Sequence, residues 1–100
     1  MANISQQFIH KMRGYVRVGH NLHDGELIDL IEAARADLIT LGGLKAEKVN
    51  DESDALIKRA IGCYIKAEFG LDNPDAEKYR QSYESLKQHL MLSSEYKKGA

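Results

Sequence analysis

The sequence has one cysteine, one proline and no tryptophan among its 100 residues. Cys63 alone excludes an internal disulfide framework and fits a reducing compartment. No run of 18 apolar residues occurs, and no apolar signal segment follows Met1, so neither a membrane span nor a secretory leader is expected. Proline and glycine are too sparse for a long linker or low-complexity stretch, and no internal repeat is visible. Hydrophobic residues make up 43% and charged residues 29%, enough apolar material for one modest core and too much for wholesale disorder. The boundaries expected are one helical domain over residues 1–92 and a flexible tail over 93–100, where periodicity is lost.

Charge of one sign is missing locally. Residues 1–23 contain Lys11, Arg13 and Arg17 and no acid, whereas residues 24–54 contain nine acids against Arg35, Lys45 and Lys48. A net charge of -1 argues against a dedicated high-affinity nucleic-acid binder, which carries a strong basic excess. A basic head and an acidic middle suit neighbouring copies that pack on each other. Lys11, Arg13 and Arg17 are accordingly the candidate subunit or channel contacts. They are expected nearer a boundary than the acidic face around Asp29, Glu32 and Asp37.

What is present is helical periodicity. Ile4, Phe8 and Met12 recur one turn apart, which predicts a short helix over 3–12; Gly14 weakens it, and Tyr15-Val16-Arg17-Val18 reads as extended. Residues 19–25 read as a loop with Asp24 as N-cap. Leu27, Ile31, Ala34, Leu38 and Leu41 line one side of a helix over 25–41, stopped at Gly42-Gly43 by a left-handed glycine. A connection over 44–50, with room for a helical turn, leads to a helix over 53–69 that ends at Gly70. Ile57, Ala60, Ile61 and Tyr64 form its stripe, and Leu56, Cys63 and Ala67 widen the apolar arc beyond what one neighbour covers. That width predicts a central helix with partners on two sides, or one that also meets another subunit. Gly62 at its middle costs roughly 0.5–1 kcal/mol unless a close approach compensates. Asn73 as cap and Pro74 at the first position then open a helix over 74–91, with Ala76, Tyr79, Tyr83, Leu86 and Leu90 along its seam. The fold class is all-α, a small bundle of about four helices. Ile31, Leu38, Ile57, Ile61, Tyr64, Tyr83 and Leu86 are its expected core.

No constellation for chemistry emerges. His20 and His23, with Asp24 beside them, have a metal-like spacing but lack the convergent ligands of a zinc site. Cys63 has no histidine base nearby in sequence and reads as a buried structural residue. The carboxylates cluster at helix starts, where capping explains them, and no glycine spacing fits a phosphate loop. No catalytic residue, metal or cofactor is therefore expected.

Four stretches carry a family likeness: Leu30–Leu38, Leu56–Ile61, Phe69–Glu77, and Ser82–Lys87 with Leu90. In this order and spacing they resemble the head–tail connector proteins of long-tailed double-stranded DNA bacteriophages and their prophages, over about residues 8–92. The resemblance implies a small helical adaptor in a ring, typically twelvefold, beneath the portal of the filled head, helping to complete the channel to which the tail joins. Its implied partners are further copies of itself, the portal protein, tail-proximal head-completion or tail proteins, and double-stranded DNA passing without sequence recognition. Its implied location is the virion head–tail junction, after assembly in the bacterial host cytoplasm. The stretch Gly19–Asp24 departs from the more acidic loop of the family, and the tail after Leu92 is variable in it. The alternative class is a small helical DNA-binding or regulatory protein, but the helix carrying Lys58, Arg59 and Lys66 starts among Asp51, Glu52 and Asp54, which would face phosphates badly. Duplex binding at physiological salt should be weak and indifferent to sequence. A titration finding nanomolar affinity for one sequence over others would favour the regulatory class.

Overall fold

In a computed structural model the chain is described over residues 3–70 and 73–99. Its helices are α1 (Gln6–Tyr15), α2 (Asp24–Ala36), α3 (Ala46–Val49), α4 (Ala55–Glu68) and α5 (Ala76–Met91). Strands are absent among the described residues. Leu71 and Asp72, part of the expected break before the last helix, lie outside the described residues.

The apolar stripes meet around α4. This helix packs against α1 and α2 on one side and α5 on another, which is the two-sided burial that its wide arc implies. Ile57, Ile61 and Ile65 are sealed against Met12, Leu27, Ile31, Leu38 and Leu90 in one cluster. Asp54 caps α4 by accepting the Ile57 N–H at 3.0 Å, and Gly70 follows the helix at φ 81°. Gly62 has a packing reason: a Cβ there would stand 2.8 Å from the ring of Tyr15. The missing side chain lets α1 and α4 approach, offsetting the helix penalty of glycine.

Several local expectations need correction. Helix α1 begins after Ser5, whose hydroxyl accepts the Phe8 N–H at 3.0 Å, and continues through Gly14 to Tyr15. Tyr15 and Val16 pack on the core, and that burial outweighs the extended preference of aromatic and β-branched residues. Asp24 is not a cap; it lies inside the start of α2 and turns its carboxylate to Arg13. The final turn expected in α2 widens into a π-turn over Asp37–Leu41, closed by the Gly42 N–H on the Asp37 carbonyl at 2.9 Å. Gly43, at φ 66°, is the left-handed member of the glycine pair.

Asn73 and Pro74 precede α5 instead of opening it. The Asn73 side chain donates to the Lys66 carbonyl at 2.5 Å and accepts the Asp75 N–H at 3.1 Å, so it closes the end of α4. Tyr64 and Leu86 are half-buried and not sealed, while Ile65, Leu44 and Val49 join the core.

Residues 93–99, in the stretch expected to be a flexible tail, make packed contacts with the body of the fold. Tyr96 is buried, and its backbone carbonyl accepts the Lys45 N–H at 2.8 Å. The Lys98 N–H donates to the Gly43 carbonyl at 2.8 Å, around an isolated antiparallel bridge between Leu44 and Lys97. The Tyr96 hydroxyl reaches the Asp54 carboxylate at 3.0 Å, tying the C-terminal segment to the start of α4. One aromatic residue supplies this anchor, and it leaves no periodic signature.

Two outcomes follow from this packing. Ile61→Ala should lower unfolding free energy by about 2–5 kcal/mol, through lost burial and a partly collapsed cavity; a denaturant titration showing less than about 0.5 kcal/mol would contradict the central place of α4. Burial, and then the hydrogen bond to Asp54, push the Tyr96 hydroxyl up to about 12. An unfolded tyrosine ionises near ~10, so this contribution is complete below that pH and is lost as pH rises toward the folded value. Stability measured across that window should fall, and less steeply in Tyr96→Phe; identical slopes would contradict the anchor.

Candidate functional site

The three basic residues singled out from the sequence have different surroundings. Arg13 is committed inside the protomer: its Nη2 and Nε lie 2.6 and 2.8 Å from the two oxygens of Asp24. This two-pronged pair joins the end of α1 to the start of α2, and the guanidinium holds the Asp24 carboxyl below the ordinary carboxylate range. Lys11 is exposed on α1 beside Ser5, Phe8, Glu52 and Lys58.

Arg17 is exposed with φ 58°. The Val18 N–H donates to the Arg13 carbonyl at 3.0 Å and the Arg17 N–H to that of Gly14 at 3.2 Å. This is the paired bonding of a helix end whose left-handed position normally belongs to glycine. An arginine there bears a backbone cost of about 1 kcal/mol. No hydrogen bond or ion pair of its side chain within the chain offsets that cost among the described residues. Its charge is left available to solvent or a partner.

The acidic middle is not one open face. Asp37, assigned to the polar side of its helix, sits between Tyr83 and Lys87 of α5, at 2.5 Å from the hydroxyl and 2.8 Å from the ammonium. Burial opposes the charge of Lys87, but its bonds to Asp37 and Glu84 raise its pKa; burial and Asp37 both push the Tyr83 hydroxyl up. Glu52 accepts both the N–H and the hydroxyl of Ser5, at 2.9 and 2.6 Å, and lies 3.4 Å from buried Arg35. Burial works against the Glu52 charge, yet these donors hold its pKa low. Asp51 accepts from Ser53, and Asp54 serves Ile57 and Tyr96. Asp29 remains exposed and Glu32 half-exposed on α2, with no such partner among the described residues.

A shallow groove between α4 and α5 escaped the sequence reading. Leu56, Cys63 and Leu86 contribute apolar surface to it, and Arg59, Lys78 and His89 contribute basic groups. Cys63 is half-buried here, not sealed in the core, because the open side of α4 faces this groove. The signal available in sequence was the same excess width of the α4 arc. Tyr64 meets Tyr83 edge-on at 5.2 Å, and Lys66 lies over the Tyr79 ring at 5.1 Å.

The histidine loop is equally modest. The His20 and His23 rings are 5.5 Å apart, and His23 meets Phe69 edge-on. Among the described residues no three His, Cys, Asp or Glu side chains gather as metal ligands, and no helix is long and apolar enough to cross a membrane.

The contrast between Arg13 and Arg17 can be measured by denaturant titration. Arg17→Gly should raise unfolding free energy by up to about 1 kcal/mol, because glycine relieves the left-handed backbone. Arg13→Glu should lower the unfolding midpoint by placing two carboxylates together. Loss of stability in Arg17→Gly would mean that its side chain makes an internal contact.

Searches of curated proteins and of solved structures returned no significant match. A family profile described as Phage connector protein matches residues 9–97, from the middle of α1 through the docked C-terminal segment. With nearly its whole length covered and an all-helical fold, this chain belongs to the phage connector protein family.

Proposed function

We propose that this phage connector protein is one protomer of a ring, typically twelvefold, that sits beneath the portal of the filled head and helps complete the channel for tail attachment. The observation that carries the reading is the family match across residues 9–97. The packed C-terminal segment falls within that match, so the adaptor body extends beyond α5. In this reading the neighbours are copies of the same chain, the portal protein and tail-proximal proteins. The particle is assembled in the host cytoplasm, and the role is structural and not catalytic.

Lys11 and Arg17 would face the channel or the subunit boundary, where a few exposed bases attract DNA phosphates without reading sequence. Arg13 would serve the same segment indirectly, by fixing the α1–α2 corner through Asp24. The regulatory alternative gains no support from α4. Its opening acid Asp54 is occupied as a cap, and Lys66 lies over the rings of Tyr15 and Tyr79. Of its bases only Arg59 is exposed, too little for a helix that reads base edges in a groove.

Removing the gene from its phage or prophage should yield DNA-filled heads that fail to join tails, and added purified protein should restore joining. A Lys11→Glu, Arg17→Glu double variant should retain the helical circular-dichroism spectrum of the wild type while restoring fewer tailed particles. Normal tailed particles without the gene would contradict the connector role. Full restoration by the double variant would remove only the role assigned to these two bases.

A further inference from the structure

Two surfaces of opposite sign stand out among the charges that the protomer leaves uncommitted. On α2 and the π-turn that continues it, Asp29, Ala33, Ala36 and Thr40 are all exposed at spacings of four, three and four residues. They alternate with the buried stripe Leu27, Ile31, Ala34 and Leu38, so they form the outward side of the helix. Glu32 flanks them, and no base belongs to this strip: Arg35 is buried on the inner side with Glu52. The strip is acidic toward its N-terminal end and low in profile where the two alanines stand.

The α4–α5 groove has complementary features. Arg59 and Lys78 supply positive charge, and no acid lines the groove. Leu56, Cys63 and Leu86 give it an apolar floor, with Leu56 among the few large hydrophobic side chains that remain exposed. Neither Arg59 nor Lys78 takes part in an ion pair among the described residues. On α4 the groove residues Leu56, Arg59 and Cys63 follow one stripe, while Ile57, Ile61 and Ile65 follow another into the core. The acidic strip and the basic groove are built on different elements, α2 and the α4–α5 pair, and share no residue.

We propose that the outward strip of α2, centred on Asp29, Glu32 and Ala33, seats in the α4–α5 groove of a second copy of this chain, against Arg59, Lys78 and Leu86. Three physical features favour a second copy as occupant. The small side chains let a helix lie close over a shallow apolar groove. Opposite charges on strip and groove steer and register the encounter. Two dissimilar patches on one chain make a head-to-tail contact, which continues from copy to copy and gives a ring when its rotation closes; a self-complementary patch would stop at a dimer. This contact rests on the ring reading and names the surfaces that would build the ring. It gives the acidic strip a partner other than Arg13, which is occupied by Asp24.

Charge exchange tests it in the full chain. Native mass spectrometry over a concentration series, alone and with the purified portal protein, would compare wild type, Asp29→Lys with Glu32→Lys, and Arg59→Glu with Lys78→Glu. Each double variant should keep its helical spectrum and need at least about tenfold more protein to assemble. Mixing the two variants should recover assembly, since each supplies the surface that the other has lost. One chain carrying all four changes should recover it as well. Wild-type-like assembly of either double variant would overturn this contact while leaving the ring intact, and so would loss without recovery in both the mixture and the fourfold variant. A wild type that stays monomeric beside its portal would remove the ring reading and this contact with it.

Discussion

Helix α4 must satisfy neighbours on two sides with fourteen residues, and the rest of the protomer is arranged around that demand. Its isoleucine stripe closes against α1 and α2, and its contact with α5 joins the second half of the chain. The absent side chain at Gly62 brings Tyr15 onto the helix, which sets the distance between α1 and α4. Burial of this stripe is the main favourable term available to so small a fold. What α4 leaves uncovered, Leu56, Arg59 and Cys63, becomes a groove because the same helix cannot be wrapped on every side.

Polar contacts then fix how the layers are joined. Asp37 holds the π-turn to Tyr83 and Lys87, Glu52 joins the start of α1 to Arg35, and Asp54 holds Tyr96 against the head of α4. Each joins elements distant in the chain, and each is sheltered enough that losing one partner would leave the other poorly solvated. These contacts bring the C-terminal segment into the folded body. They also withdraw Asp37, Glu52 and Asp54 from the open acidic surface, while Asp29 and Glu32 of α2 stay without such partners among the described residues.

Much of the fold was legible because helical burial leaves a period. The stripes through Ile31 and Leu38, Ile57 and Ile61, and Tyr83 and Leu90 predict the principal helices, and Gly43 and Gly70 mark two of their ends. Contacts made by single residues leave no such period. Tyr96 looked like part of an aperiodic tail, Asn73 like a cap, and Arg17 like ordinary extended backbone. The candidate surfaces were less legible: Lys11 and Arg17 are exposed, but the pairing of Arg13 with Asp24 joins residues eleven apart through a corner that sequence does not reveal. The width of the α4 arc pointed to surplus surface, and only the packing of α5 showed where it lay.

Family membership and fold together make a structural part of a phage particle, and the ring beneath the portal is the specific form proposed for it. The most direct measurement is an electron cryomicroscopy reconstruction of the head–tail junction of the source phage or induced prophage. A closed ring of these helical protomers, directly below the portal and coaxial with the DNA channel, is the expected result. Particles whose junction contains no density for this chain, or that carry it elsewhere, would contradict the connector assignment at its centre.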